Sequence, residues 1–497
     1  MMEHNVRWQG LAVVILALVG FALQRDISHA QQLPQWTPQQ RISGYSNETL
    51  TPILVADQNR TVHAFASQAP GETSNAVDIL YSRWTVQDGW TQPIDIVIPP
   101  AGRQQARVEG AHLTQDGMMH MVFFGGNDAV AEIYYTRAPA VAADRAPMWT
   151  AVDVVGERAV TPDEAALVGD SRDALYLLYS GNMNGNGLYA TQSLDGGDTW
   201  SEPVPIFYTY DSTRWPLGLK MYVDGQDRIH AVWAVVNSTG NSEAIYYTQL
   251  EHEEAQWREP LLLSDSTEMP FETDTPNIVE YHDELMVIYH YDQPTTRWIR
   301  RSRDNGLTWS EPVKAFPSHI GSNGPVTFVI DSNDVLHVFF GERTGEHPAD
   351  HGMWHSTWDG NQWRPPRAIV SDKVRDDFDP SFARAILSQG NVILVFLLIK
   401  PRKSPSSTLF SYTTLAAPEL PVEALPTPPP PTATTVAIVA WPTATPTPHP
   451  RIVRSTTDTS AGQGNNAIQL MVVSIFPVLT MVFALIGVFL RRKHTLP

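Results

Sequence analysis

Seven tryptophans recur along the chain at intervals of 51 to 59 residues, and this repeat constrains the fold more than any other feature. They are Trp36, Trp90, Trp149, Trp200, Trp257, Trp309 and Trp363. A short aromatic run such as residues 133–136 precedes each later tryptophan, and two β-type runs joined by a polar turn precede that run. A period of this length, built from short β-branched and aromatic runs, predicts a unit of four antiparallel strands.

Sheets of four strands repeated around an axis form a β-propeller, an arrangement that protects the strand edges. The last unit has three strands and lacks its tryptophan strand, whereas the segment around Trp36 has no unit before it. Pairing these two segments completes one more sheet. The sequence therefore predicts an all-β, seven-bladed propeller in which an N-terminal strand closes the last blade; a six-bladed sialidase-type propeller is the alternative.

Two units carry the signature Ser-x-Asp-x-Gly-x-Thr-Trp. Its residues are Ser193, Asp195, Gly197, Thr199 and Trp200 in one unit and Ser302, Asp304, Gly306, Thr308 and Trp309 in the other. The aspartate is suited to hydrogen bonding with turn amides, the glycine to a positive φ, and the tryptophan to packing between blades. This signature resembles the Asp-box of the bacterial-neuraminidase-repeat, or sialidase-like, propeller superfamily. The resemblance covers about residues 36 to 416. It implies the fold and leaves activity open, because the box is structural in that family.

The N-terminal 30 residues have the pattern of a secretory signal. Arg7 is followed by an apolar run over residues 11–23 and by the small-residue exit at residues 28–30. We expect cleavage after about Ala30, with an uncleaved anchor as the alternative.

The C-terminal part of the chain has the pattern of a stalk and a membrane anchor. Residues 417–467 are rich in proline and threonine, which favours an extended stalk. Residues 468–490 are uncharged and long enough to span a bilayer, and the basic tail at 491–497 is expected in the cytoplasm. The propeller head, residues 31–416, is therefore expected outside the cell, held at the membrane by one C-terminal helix.

The composition excludes several classes of function. The chain carries 34 basic and 53 acidic residues, a net charge of −19, which disfavours binding to nucleic acid. It has no cysteine, which excludes disulfides, zinc–thiolate sites and thiol catalysis. We expect no cofactor, although carboxylates between blades leave a structural calcium site open.

Strand alternation divides the propeller into two faces. One, the Asp-box face, carries the polar hairpins and the Asp-boxes; the other, the loop face, carries the longer loops and the connections between blades. A ligand is expected on the loop face near the axis. The candidate ligand-binding residues are Arg214, Glu272, Asp274, Arg375, Asp377, Asp379 and Arg384.

Arg107 is a further arginine expected on the loop face. A carboxylate pair in the connection before blade 5 or before blade 7 suits glycoside hydrolysis or calcium binding, and solvated or turn-capping carboxylates on an acidic protein are the alternative. The acidic residues of these connections are Glu268, Glu272 and Asp274, and Asp376, Asp377 and Asp379, and the same alternatives apply to Glu48, Glu109 and Glu164. Four histidines occupy one equivalent position that other blades fill with tyrosine, methionine or isoleucine, so we expect them to pack the blades. They are His63, His120, His230 and His337.

The sialidase resemblance implies three arginines that bind a sugar carboxylate, the first at the entry to the first inner strand. Leu50 stands at that place here, and Arg41 is expected on the closing outer strand instead. No catalytic residue is assigned, and whether the protein is an enzyme stays open. We expect a membrane-anchored, extracytoplasmic module that recognises a surface glycan or protein. The alternative is an exo-acting glycoside hydrolase of sialidase type (an exo-alpha-sialidase) with a diverged arginine set.

Overall fold

A computed structural model of the chain describes residues 35–45, 49–68, 77–99, 106–126, 131–156, 164–182, 185–251, 256–265, 274–291, 296–343, 351–372, 381–399 and 409–416. The predicted signal, stalk, membrane helix and tail (1–30, 417–467, 468–490 and 491–497) lie outside these residues. Within the described ranges, no helix has the length and apolarity needed to cross a membrane.

The described residues form thirty strands and three short 3₁₀ helices, numbered here in chain order. The closing strand and blades 1 and 2 contain β1 (Gln40–Arg41), β2 (Ile53–Ala56), β3 (Val62–Gln68), β4 (Asp78–Thr85), β5 (Gly89–Trp90), β6 (Ile94–Val97), β7 (Arg107–Leu113), β8 (Met118–Gly126), β9 (Ala131–Pro139), 3₁₀ helices Ala140–Ala142 and Ala146–Met148, and β10 (Asp153–Val154). Blades 3 and 4 contain β11 (Ala165–Gly169), β12 (Leu175–Gly181), β13 (Gly187–Ser193), β14 (Val204–Tyr208), β15 (Arg214–Val223), β16 (Ile229–Asn237), β17 (Ser242–Glu251), β18 (Gln256–Trp257) and β19 (Leu261–Asp265). Blades 5 to 7 contain β20 (Asp274–Tyr281), β21 (Glu284–Tyr291), β22 (Thr296–Ser302), β23 (Val313–Lys314), β24 (Ser322–Ile330), β25 (Leu336–Arg343), β26 (His351–Thr357), β27 (Arg367–Asp372), β28 (Ser381–Ser388), the 3₁₀ helix Gln389–Asn391, β29 (Val392–Ile399) and β30 (Leu409–Ala416).

These strands form seven antiparallel sheets, which confirms the seven-bladed propeller. The first strand of each sheet contacts the first strand of the next, and the strand of blade 7 contacts that of blade 1, so seven inner strands form a closed ring. The six-bladed alternative is wrong, because each of the seven sequence units forms a separate sheet.

The N-terminal segment closes blade 7, as the sequence predicts. Strand β1 pairs with β30, and the amide of Thr37 donates to the carbonyl of Thr414 at 2.9 Å. The ring of Trp36 packs edge-on against Phe339 of blade 6, with 5.8 Å between the ring centroids. Arg41 lies on this closing strand, so it cannot take the place of the first sialidase arginine.

The two full Asp-boxes form the same hydrogen-bond pattern. In the second box, Asp304 accepts from the amide and hydroxyl of Thr308 at 2.9 and 2.5 Å, and Ser302 accepts from the amide of Gly306 at 2.8 Å. The bonds from Thr308 hold the pKa of the Asp304 carboxyl below its usual value. The following tryptophan packs edge-on against a tyrosine of the preceding blade; Trp309 lies 5.0 Å from Tyr247 between ring centroids.

The equivalent histidines are buried between blades, which confirms their structural role. Nδ1 of His63, His120 and His230 is within 2.6 to 2.8 Å of a tyrosine hydroxyl on the third strand of the same blade. In blade 6, His337 contacts His355 instead, at 2.8 Å. Burial lowers the pKa of His120 to about 3, so this histidine is neutral at physiological pH.

Candidate ligand site in the axial channel

The inner strands change register near the loop face. Five of the seven inner-strand pairings contain a register shift there; the shifts lie between Val108 and Gly110, Leu217 and Lys220, Asp274 and Asn277, Asn323 and Thr327, and Ser381 and Arg384. A bulge re-aims the side chains beside it and ends the strict alternation of a strand. We call the space enclosed by the seven inner strands the axial channel. At its loop-face end, the bulges therefore orient side chains differently from those of a regular strand.

Two glutamates at this level each bind the backbone of the next blade. Glu109 of blade 2 accepts from the amide of Ala165 at 3.4 Å, and Glu164, which precedes the inner strand of blade 3, accepts from the amide of Leu219 at 2.7 Å. Glu109 also forms an ion pair with Arg107. The two carboxylates are near enough to each other for Glu164 to raise the pKa of Glu109. They thus form a carboxylate pair at the joints between blades 2, 3 and 4.

Two cations share the channel with these carboxylates. Lys220 of blade 4 and Arg384 of blade 7 interact electrostatically with each other and with Glu164. Blades 4 and 7 are not neighbours in the ring, so these side chains interact across the axial space. Both are half-buried, and no described residue forms an ion pair within 4.0 Å of either. We call Glu109, Glu164, Lys220 and Arg384 the axial cluster.

The channel shifts the pKa values of three members of the axial cluster. Burial raises the pKa of Glu109 to about 7, against the opposing effect of Arg107. Burial lowers the pKa of Lys220, and it lowers the pKa of Arg384 to about 10, although Glu164 acts in the opposite direction on both. A carboxyl group that titrates near neutral pH beside poorly solvated cations is typical of functional sites.

The structure brings together some of the predicted residues and separates others. Arg384, Arg107, Glu109 and Glu164 all lie at the channel. Outside the described residues lie Glu48, Glu268, Glu272, Arg375, Asp376, Asp377 and Asp379. Lys220 was not predicted, because it is one lysine in a β-type run and no sequence pattern marks the bulge that turns it toward the axis.

Arg214 and Asp274 are bonded to other residues of the loop face. Arg214 Nε donates to Glu243 at 2.5 Å, and its guanidinium also binds Asp211. Asp274 begins the inner strand of blade 5 and accepts from Nδ1 of His290 at 2.8 Å. The structure therefore does not place Arg214 beside Arg107 and Arg384 as one triad of free arginines.

A second buried polar cluster lies between blades 5 and 6. His290 pairs in register with Arg297, whose guanidinium donates to the carbonyl of Gly341 at 2.8 Å, and Glu342 contacts Nδ1 of His319 at 2.7 Å. Burial lowers the pKa of Arg297 to about 10, partly offset by Glu342. Only Asp274, which contacts His290 of this cluster, was among the residues predicted from the sequence. Among the described residues, no group of three or more histidine, aspartate or glutamate side chains is arranged to hold a metal ion.

A surface cleft of about 570 Å³ lies away from the axial channel. It lies between the closing strand and blade 1 and is lined by residues that include Arg41, Trp84, Trp90 and Tyr412. We place the candidate site in the channel instead, because the grouped titratable side chains are there.

The fold and these elements define an Asp-box β-propeller with a mixed-charge axial channel. Residues 148–366 match the family model described as the DUF6242 beta propeller domain. No curated protein matches this sequence significantly.

Solved structures show the same fold. A polysaccharide lyase, an ulvan lyase of family PL25, has a TM-score of 0.54 and 12% identity; the match covers 76% of this chain and 96% of the lyase. The same type of lyase bound to -[GlcA(1-4)Rha3S]- has a TM-score of 0.50, 12% identity and the same coverage. A mutant of NanB sialidase from Streptococcus pneumoniae has a TM-score of 0.42 and 13% identity, covering 79% of this chain and 72% of the sialidase. The β-propeller fold that the Asp-box resemblance implies is thus confirmed.

Proposed function

We propose that the protein is a recognition module that binds an acidic glycan at the loop-face end of its axial channel. The observation that carries this proposal is the axial cluster, in which Lys220 and Arg384 meet across the axis without an ion pair to any described residue. A carboxylate or sulfate group placed between them would give each cation a direct ion-pair partner. Charge-assisted hydrogen bonds to such a group are stronger than neutral ones.

The net charge of −19 opposes non-specific binding of anions elsewhere on the surface. An acidic sugar that enters the channel meets the positive charge of Lys220 and Arg384. The fold supports the class of ligand, since a polysaccharide lyase of the same fold is bound to a glycan that contains glucuronate.

We also propose that the head is tethered outside a membrane, as the signal, stalk and apolar segment of the sequence suggest. Deleting residues 468–497 is expected to move the protein from the membrane fraction to the medium. The measurement is the protein's distribution after cell fractionation, with the full chain as control. Recovery of the full chain in the cytosol would overturn this proposal.

Removing either channel cation is expected to weaken the binding of acidic glycans. We expect R384Q or K220Q to lower the affinity for glucuronate oligosaccharides about 10- to 100-fold, because each removes a charge-assisted contact of about 1.5–3 kcal/mol. An array of neutral, uronate-, sialate- and sulfate-bearing glycans identifies ligands of the full chain, and titration calorimetry gives the affinities.

The matched control is R303Q. Arg303 is 72% exposed on the Asp-box face and pairs with Glu284 at 2.8 Å, so its loss removes the same charge far from the loop face. Equal losses of affinity in R303Q and R384Q would mean that the net charge of the protein, and not the axial cluster, determines binding. An array that shows no preference for acidic glycans would contradict the proposal itself.

Glu109 is expected to make this binding dependent on pH. Its carboxyl group is largely neutral below its pKa of about 7 and becomes negative above it, where it repels an acidic ligand. The affinity of the full chain should therefore fall as the pH rises from 6 to 8. The other charged groups at Glu109 are Arg107, Glu164 and Lys220; E109Q should flatten the profile, and an unchanged profile in E109Q would exclude Glu109 as its source.

The second candidate function is an exo-acting glycoside hydrolase of sialidase type with a diverged arginine set. The proximity of Glu109 and Glu164 favours it, because a carboxyl group whose pKa is raised by burial to about 7, next to a second carboxyl group, suits acid–base catalysis of glycoside cleavage. Release of reducing sugar from the glycans bound by the full chain, lost in E109Q, would establish this function in place of recognition alone.

A further inference from the structure

Tyr210 lies on the loop face, in the connection between blades 3 and 4, and is 93% exposed. Its backbone has a φ of +55°, in the left-handed region that bulky side chains rarely adopt. Exposure of the ring to water and the positive φ both cost free energy when no ligand is bound. Strained residues of this kind occur preferentially at functional sites.

The turn that carries Tyr210 is firmly held. The amide of Thr209 donates to the carbonyl of Asn186 at 2.9 Å, and the side-chain amide of Asn186 donates to the carbonyl of Arg214 at 2.8 Å. Thr213 donates from its hydroxyl to Asp211 at 2.7 Å. The position of the tyrosine is thus fixed by hydrogen bonds on both sides of the residue.

Tyr210 is the outermost of four tyrosine rings in successive contact. Its ring centroid is 5.9 Å from that of Tyr208, which lies 6.3 Å from the buried Tyr189, which in turn stacks on Tyr179 at 5.7 Å. Tyr179 and Tyr189 are buried within blade 3, whereas the ring of Tyr210 is exposed to solvent. This arrangement gives a rigid aromatic surface at the rim of the loop face.

Fixed polar groups follow the exposed ring in the chain, in the connection itself and at the loop-face ends of the blade 4 strands. Arg214 binds Asp211 and Glu243, and Glu243 also accepts from the side-chain amide of Asn237 at 2.8 Å. An exposed aromatic ring, followed in the chain by oriented hydrogen-bonding groups, suits a pyranose, which has an apolar face and a rim of hydroxyl groups.

We propose that Tyr210 is a stacking platform for a pyranose residue of the glycan whose acidic group binds in the axial channel. This inference rests on the proposed function and extends the site to a second subsite. Strand β15 connects the two subsites, because it begins at Arg214 and includes Lys220. Six residues of strand span roughly 20 Å, so one ligand must contain several sugar residues to reach both.

Three substitutions test the platform through the binding of glucuronate oligomers of two and eight residues. Y210A is expected to weaken binding of the octamer about 5- to 10-fold and of the dimer less than about 2-fold, because only the octamer reaches the platform. Y210W keeps a stacking surface and should bind the octamer at least as tightly as the native chain. Y210G should bind like Y210A and also raise the melting temperature by about 1–2 °C, because glycine relieves the positive φ.

The outcomes separate this inference from the proposed function. Loss of octamer affinity in R384Q but not in Y210A overturns the platform and leaves the channel site standing. Loss in Y210A but not in R384Q supports the platform and overturns the channel site. If the native chain binds neither oligomer, both are overturned.

Discussion

Replacing Ile42 by aspartate is expected to open the propeller. Ile42 follows the closing strand, is 3% exposed, and packs with Tyr45, Phe396 and Phe410. Its amide donates to the carbonyl of Phe410 at 2.8 Å. A charge at this buried position costs about 3–5 kcal/mol, so the melting temperature should fall by about 5–10 °C. The freed edge of β30 should also promote self-association, which light scattering would detect.

The neighbouring residue provides the control for this prediction. Arg41 is exposed on the opposite side of the same strand, so R41D changes the charge without burying it. We expect R41D to melt within about 1 °C of the native protein. Equal losses in I42D and R41D would show that charge near the N-terminus, and not closure of the ring, sets the stability.

Replacing the Asp-box glycine Gly306 by alanine is expected to be the most damaging small substitution. Gly306 has a φ of +79°, and a Cβ there would overlap the hydroxyl group of Tyr247 in the preceding blade. That hydroxyl cannot move freely, because it bonds Nδ1 of His230 at 2.8 Å in the interior. Backbone strain and overlap together should cost about 2–4 kcal/mol, measured as the change in unfolding free energy.

Gly117 separates the two contributions to that cost. It also has a positive φ, of +87°, but nothing lies within 4 Å of a Cβ built on it. We expect G117A to cost about 1 kcal/mol, the part due to backbone strain alone. If G306A costs no more than G117A, the contact between the Asp-box and the preceding blade does not contribute to stability.

The fold could be predicted from the sequence because its evidence is periodic. Each repeating unit of the sequence forms one sheet, and the segment after Trp36, which has no unit of its own, pairs with β30. The equivalent histidines were predictable for the same reason, since a position shared with Met286 and Ile393 must be an interior one. A single short segment does not reliably predict a strand, but the same pattern repeated seven times does.

The axial cluster could be predicted only in part, because nothing in it repeats. Lys220 and Arg384 are 164 residues apart and interact because both belong to the inner ring. Lys220 faces the axis at a bulge, and a shift of one residue reverses the face of a strand side chain. The sequence shows the period of the strands but not the places where the register shifts.

The pairing of β1 with β30 also determines when folding ends. The hydroxyl groups of Thr37 and Thr413 lie 3.2 Å apart although 376 positions separate them along the chain. Synthesis from the N-terminus allows the earlier blades to form in sequence, whereas the first strand must wait for the last one. Such distant contacts assemble slowly, so the newly made polypeptide passes through a stage in which six sheets are complete and one is still open.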